Sequence, residues 1–333
     1  MARSPLDEID VIGVGNALVD VLTHENDEFL DRYGLTKGTM HLIDEDRARQ
    51  LYAAMGPGVE VSGGSAANTV VGVASFGGRA HYVGKVRDDD LGEVFTHDLR
   101  STGVGYDTPL AASGPPTGRC LILVTSGAQR TLNTFLGAAV RLTPADIDER
   151  LLARGRIVYL EGYLFDPPAA QEAFRKAARL AHAAGRKVSL TLSDPFCVDR
   201  HREAFLDLVE YHVDILVANE AEICSLYRVN DFDTALQRVR GQCEVAALTR
   251  GERGSVITSG AEVHVIDAYP PDALVDTTGA GDLYAAGLLF GLSRGLDLAV
   301  CGRLGSLAAA EVISHVGARP MKPLAELAGA VLA

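Results

Sequence analysis

The chain has 333 residues, 47% hydrophobic and 23% charged, which fits a globular protein with a sizeable core and room for a smaller appendage. Its net charge of −13 excludes nucleic-acid binding through a general electrostatic field, though not a local positive pocket for a phosphorylated small molecule. Five scattered cysteines with no CxxC pair argue against a disulfide framework or a zinc site and fit free thiols in a reducing, cytoplasmic setting.

The polar start MARSPLDEID carries no signal-peptide core, and no apolar stretch reaches ~18 residues unbroken, so no membrane span is expected. DVIGVGNALVDVL (10–22) reads as one strand-like run. Further buried-strand candidates are AHYVGKV (80–86), RCLILVT (119–125), RIVYLEGY (156–163), KVSLTL (187–192), VDILVAN (213–219), EVAALTRG (244–251) and GSVIT (254–258). Helical patterns fall between them at AANTVVGVASFG (66–77), AAQEAFRKAARLAHAAG (169–185), DTALQRVRG (233–241), DLYAAGLLFGLSRG (282–295) and LDLAVCGRLGSLAAAEVIS (296–314). Continuously apolar strands followed by helices predict an α/β fold whose mostly parallel sheet is covered on both faces. Two stretches, 16–43 and 109–136, break the alternation. They are extended, turn-rich and polar-alternating, and predict a small β-sheet that covers a cleft as a lid. The large α/β body is then 1–15, 44–108 and 137–333. No internal repeat, long linker or low-complexity segment interrupts it.

The chemistry concentrates in VDTTGAGDLYAAGLL (275–289). Glycines 279 and 281 leave backbone N–H groups bare, and a helix starting there makes an anion site of its free N–H groups and dipole. Asp282 at that spot needs a proton to take. A base beside an anion hole is what phosphoryl transfer to a hydroxyl requires. A lone GxGD is more often an ordinary capped turn. The full DTTGAGD joined to a small-residue helix (Ala285, Ala286, Gly287) favours the functional reading. Two nucleotide fingerprints are absent: Leu18 stands where GVGNAL would need a third glycine, and VGK (83–85) lacks both flanks of a P-loop.

In VSGGSAANTVVGVASFGG (61–78) a Gly-Gly pair precedes Ser65 and a helix bearing Asn68, whose amide suits sugar hydroxyls. GNALVD (15–20) sets Asn16 and Asp20 at a turn into the expected lid, where a carboxylate can hold two vicinal hydroxyls. In NEAE (219–222), Asn219 and Glu222 share a helical face and can hold magnesium-bound water near phosphates. LTRGERGS (248–255), with Thr249, Gly251 and Gly254, offers backbone groups to ATP. Taken alone, each of these fits a surface turn or helix cap as well. The nine histidines show no metal-ligand spacing.

Together and in this order the motifs resemble the ribokinase/PfkB family of carbohydrate and nucleoside kinases. GGSAAN…GVASFGG is similar to its first signature, DTTGAGD to its second and NEAE to its NxxE motif. Within the family the adenosine kinases are most similar, through GNALVD, FLDRYGL (29–35), PTGRCLI (116–122), QRTLNTFLGAA (129–139), SLTLSDPF (189–196) and VDILVANEAE. The resemblance runs almost the full length. It implies a ribokinase-like three-layer sandwich with a β-sheet lid, acting with ATP and Mg2+. It implies Asp282 as base and Gly279, Ala280 and Gly281 as anion hole. Asp20, Gly64 and Asn68 would hold a ribose, with Asn16 and Ser65 beside the nucleoside. Arg130 would reach the phosphates from the lid, and Tyr163 or Phe165 would stack on the base, the local match EGYLFD being loose. Members with this second signature include some with a monovalent-cation site, which would put potassium near the carbonyls of Asp276, Thr278, Ser314 and Gly317.

The expected activity is ATP-dependent phosphorylation of the 5′-hydroxyl of a ribonucleoside, adenosine foremost, giving AMP in purine salvage. Two alternatives stand beside it: a sugar kinase acting on ribose, fructose or a 2-keto-3-deoxy sugar acid, and a non-catalytic nucleoside-binding protein. The expected partners are small molecules, with no nucleic acid and no membrane, and a monomer and a homodimer both stay open.

Overall fold

The computed structural model describes residues 8–125 and 129–332. Residues 1–7 of the polar start MARSPLDEID, and residues 126–128 of the expected lid, lie outside the described residues. The first part of the chain runs β1 (Ile9–Val14), β2 (Leu18–His24), α1 (Asp27–Arg32), β3 (Met40–Leu42), α2 (Glu45–Ala54), β4 (Val59–Gly63) and α3 (Ser65–Ser75). Next come β5 (Ala80–Val83), α4 (Asp90–Ser101), β6 (Gly105–Tyr106), β7 (Gly118–Val124), β8 (Arg130–Phe135), α5 (Glu149–Leu152) and β9 (Gly155–Glu161). The second half alternates: α6 (Pro168–Ala183), β10 (Lys187–Thr191), α7 (Pro195–Tyr211), β11 (Ile215–Asn219), α8 (Glu220–Tyr227), α9 (Phe232–Val239) and β12 (Val245–Thr249). It closes with β13 (Ser255–Ser259), β14 (Glu262–Ile266), α10 (Ala280–Ser293) and α11 (Leu298–Val312).

Nine strands form one sheet in the order β14-β13-β12-β11-β10-β9-β1-β5-β6, all running one way except β13, which pairs antiparallel with both β12 and β14. Central strands such as β1, IDVIGV, are apolar at nearly every position because both faces are covered. Val11 points into a core with α3, α10 and α11, while Ile12 and Val14 pack into a second core with α6 to α9. Helix α6 starts with Pro168 and buries Ala170, Ala173, Phe174, Ala177, Ala178 and Ala181, the i, i+3, i+4 stripe of a helix lying on a sheet. On the other face α10 and α11 cross so closely that a Cβ at Gly287 would come within 2.4 Å of the Leu304 backbone. The result is the three-layer α/β sandwich expected from the alternation.

A five-stranded sheet, β3-β8-β7-β2-β4, stands apart from the first. Two of its features differ from the sequence reading. The run 10–22 is two strands in two sheets, not one. Gly15 N–H still bonds Val83 O, Asn16 N–H turns to the Glu161 carboxylate, and the chain then leaves for the small sheet. Residues on both sides of the break are apolar, so hydropathy hides it. Strand β4 pairs antiparallel with β2, although it lies in the stretch 44–108 placed with the large body. Helices α4 and α7, also unread from sequence, bury only narrow stripes: Gly92, Phe95 and Leu99 in α4, while α7 is broken by a kink at His201. Among the described residues no helix is long and apolar enough to cross a membrane.

Candidate active site

The carboxyl ends of the parallel strands open into a cavity of about 840 Å³ roofed by the small sheet. Ligands of open α/β sheets bind at this edge because loops and helix N-termini gather there. The segment expected to form the anion hole, 279–282, lines the cavity together with Thr278. Gly279 is the N-cap of α10 and has φ 79°, a left-handed conformation that turns the chain sharply into the helix. Among the described residues no acceptor is found for the N–H groups of Gly281 and Asp282. They are the free donors of a helix start, with the positive end of the dipole behind them.

Asp282 is held from α3. Its Oδ1 accepts from Ser65 Oγ at 2.6 Å and its Oδ2 from Asn68 Nδ2 at 2.9 Å. Burial raises its pKa above the usual aspartate range, against the pull of Ser65, Asn68 and Arg319. The carboxylate of Asp20, on β2, accepts no hydrogen bond among the described residues, and Asp20 lines the same cavity. Burial pushes it up to about 6, while Arg319 and Arg130 pull it down. A Cβ at Gly63 would lie 2.5 Å from the Asp20 carboxyl, so the glycine makes room for that acid. Asn16, Gly64 and Tyr163 complete this side of the cavity.

Asn219, Glu222, Thr249 and Gly251 also line the cavity. Asn219 and Glu222 form a capping box on α8: Asn219 Oδ1 accepts from Glu222 N–H at 2.9 Å, and Glu222 Oε2 from Asn219 N–H at 2.9 Å. Glu222 is 5% exposed, not the solvated first turn of a surface helix, and burial pushes its pKa up to about 7. Among the described residues no group of three or more His, Cys, Asp or Glu is placed to hold a metal by itself. A single buried carboxylate beside the anion turn fits a divalent cation carried mainly by phosphates and water.

Six residues named from the sequence stand outside the cavity lining. Gly254 packs: a Cβ there would come within 2.0 Å of Ile266 O. Arg130 is ion-paired with Asp276, Nη2 to Oδ2 2.8 Å, both 7% exposed. Asp276 also accepts from Thr278 N–H at 3.1 Å, Thr278 Oγ1 at 2.8 Å and Gly317 N–H at 3.1 Å. Its side chain therefore braces the anion turn. The Ser314 hydroxyl donates to Ala310 O at 2.7 Å. Phe165 is fully buried, stacked on Phe205 at 4.8 Å, and unavailable to a base, whereas Tyr163 reaches the cavity.

The structure adds residues that no motif announced. Glu161, at the end of β9, accepts from Asn16 Nδ2 at 3.0 Å and Ala66 N–H at 2.8 Å, so it anchors the start of α3. Burial pushes it up to about 7. Arg319 donates Nε to Asn68 Oδ1 at 2.8 Å. Leu18, Met40, Leu42, Ile122, Leu132 and Leu136 give the cavity an apolar wall on the small sheet, and Phe196 stands 75% exposed at its rim. GNALVD and SLTLSDPF carried signals for Leu18 and Phe196; Glu161 and Arg319 become visible only in three dimensions.

A family model described as pfkB family carbohydrate kinase matches residues 31–325. The adenosine kinase of Saccharomyces cerevisiae is 28% identical over 92% of this chain and 95% of its own. Among solved structures, an adenosine kinase from Sinorhizobium meliloti is 51% identical with a TM-score of 0.90, covering 97% of this chain and 99% of that one. A probable sugar kinase protein from Rhizobium etli is 49% identical with a TM-score of 0.91, covering 97% and 98%.

Proposed function

The chain belongs to the pfkB family of carbohydrate kinases, and we propose that within this family it transfers the γ-phosphoryl group of ATP to the 5′-hydroxyl of a ribonucleoside, adenosine first. One observation carries the reading: Asp282 sits beside the unbonded N–H groups that open α10, in a cavity of about 840 Å³ with room for two ligands.

Asp282 accepts the hydroxyl proton as the oxygen attacks, and the free N–H groups neutralise charge on the transferred group. Asp20 and Asn68 hold the ribose hydroxyls. Arg130 joins the phosphates from the small sheet. Glu222 and Asn219 would hold Mg2+ through water, and the cation's chemistry there is to offset phosphate charge. Carbonyls around Asp276, Thr278, Ser314 and Gly317 are the proposed place for potassium. Closure of the small sheet over the nucleoside excludes water.

The nucleoside assignment is supported by the apolar wall of Leu18, Met40 and Ile122 and by Tyr163, and by the 51%-identical structure named adenosine kinase. A second reading, a sugar kinase, is favoured by the 49%-identical probable sugar kinase. A non-catalytic binding protein has no support in a family of kinases. A substrate panel with ATP and Mg2+, read by product mass, decides. A stacked purine gains roughly 2 kcal/mol over free sugar, so kcat/KM for adenosine is expected to exceed that for ribose or fructose by about 30-fold. Equal or better activity on a free sugar overturns the nucleoside assignment and leaves the kinase.

A further inference from the structure

We propose that Arg319 is a positioning residue: it locks the Asn68 amide in the one orientation that donates to Asp282, and its charge faces Asp20 and Asp282. The inference rests on Asp282 as base and adds a residue outside every motif of the chain.

The lock follows from hydrogen-bond chemistry. An asparagine amide has an accepting oxygen and a donating nitrogen, and a guanidinium only donates. Arg319 Nε lies 2.8 Å from Asn68 Oδ1, so Asn68 Nδ2 faces Asp282 Oδ2 at 2.9 Å. A flipped amide would set N–H against N–H on one side and oxygen against carboxylate on the other. With Arg319 in place, the carboxylate keeps a donor in fixed geometry. Without it, the amide is free to turn and the base loses one of the two bonds that aim it.

The arginine is itself held. Its Nη2 donates to Ser62 O at 2.6 Å and Ser62 Oγ at 3.0 Å, and Ser62 N–H and Oγ bond Asp98 Oδ2 at 2.8 and 2.5 Å. Ser62 belongs to β4 and Asn68 to α3, so Arg319 clamps the junction where the small sheet enters the large body. The three donors of this clamp need a forked, planar cation.

The charge acts on the same groups. Asp282 faces Asp20 on β2, Tyr159 and Glu161 on β9, Tyr163 after it and Glu222 on α8; Arg319 is the cation that acts on Asp282, and Arg319 and Arg130 both act on Asp20. Ionisation of Asp20 and Asp282 is supported by Arg319 against burial.

The test uses the full-length enzyme with Arg319→Gln and Arg319→Lys, assayed for kcat, both KM values and the pH profile of kcat. Arg319→Gln is expected to lower kcat by roughly 100-fold through a misaimed base, with KM for ATP near wild type. Its acid limb should move up by about one pH unit, because an adjacent cation depresses a carboxylate by that order. Arg319→Lys keeps the charge and should keep the wild-type limb, while kcat stays reduced because a point ammonium cannot fork. A merely structural arginine would lower melting temperature in both variants and move neither limb, and that result overturns the proposal, as does wild-type kcat in both. If Arg319→Gln does not fold, the lysine variant still decides: wild-type kcat, or a shifted limb, refutes it. Failure of the underlying reading looks different, since wild-type enzyme would then phosphorylate neither nucleoside nor sugar.

Discussion

Arg130, on the small sheet, lies 2.8 Å from Asp276, on the turn that leads into α10, yet its Nη2 is not aligned there as a hydrogen bond and its Nε has no partner. A buried guanidinium with unused donors can exchange one oxyanion for another. Phosphate, which pairs bidentately with arginine, is the natural competitor of Asp276. Arg130→Gln should therefore raise KM for ATP about tenfold or more, the value of one charged hydrogen bond. Adenosine binding, followed by calorimetry without ATP, should not change. An unaltered KM for ATP would leave Arg130 as a brace of the turn only.

Asp282→Asn removes the proposed base and keeps the volume. Turnover is expected to fall by roughly 10²–10⁴-fold, the usual contribution of a general base. ATP and nucleoside should still bind, because Asn68 and the free N–H groups remain. Near wild-type turnover would remove Asp282 from its role.

The two glycines of the turn should separate. A Cβ at Gly281 meets open space and its φ is not left-handed. Gly281→Val should then leave melting temperature nearly intact and cost about 3 kcal/mol in transition-state stabilisation by filling the anion space. Gly279 has φ 79°, and its Cβ would come within 2.8 Å of Ala318. Gly279→Ala should lower melting temperature outright. Parallel melts and steady-state kinetics check both, and a reversed pattern would refute the assignment of space and strain.

Glu161 makes stability depend on pH. Its pKa is about 7 in the fold against the ordinary glutamate value of 4.5, with burial as the cause. The folded protein keeps this proton at pH values where the unfolded chain has lost it. The stabilising contribution is complete below pH ~4.5 and disappears as pH rises through ~7. At 1.36 kcal/mol per unit the span is on the order of 3 kcal/mol. Glu161→Gln abolishes the titration, so wild-type melting temperature should drop relative to the variant between pH 5 and pH 8. Parallel curves for the two proteins would sink the idea.

The legible parts of the site were local. DTTGAGD, GGSAAN and NEAE each hold a turn and the helix it opens within a few residues, so spacing alone suggested their geometry. Glu161 reaches Ala66 across 95 positions, and Arg319 reaches Asn68 across 251. Nothing near either residue marks it as polar by necessity. The same holds for the fold. Alternating apolar strands and helices predicted the large sheet, but the switch of sheets at Gly15–Ala17 is set by a partner, Glu161, that lies far along the chain. Strand β4 was unread because VEVSG runs straight into a glycine pair that reads as a helix start. The pairing of Arg130 with Asp276 was equally unreadable, because the two meet from distant parts of the chain.

The apolar wall and the phosphate turn belong to different sheets. Met40, Leu42, Ile122 and Leu132 sit on the small sheet, while Gly279 to Asp282 open a helix of the large body. On the proposed function, changes in the first group would alter which acceptor enters without disturbing the second. Acceptor preference could then drift from sugar to nucleoside by substitution on five short strands, with the proposed phosphoryl-transfer turn inherited whole. This separation makes the scaffold readily evolvable, and it is also the natural line along which to redesign it.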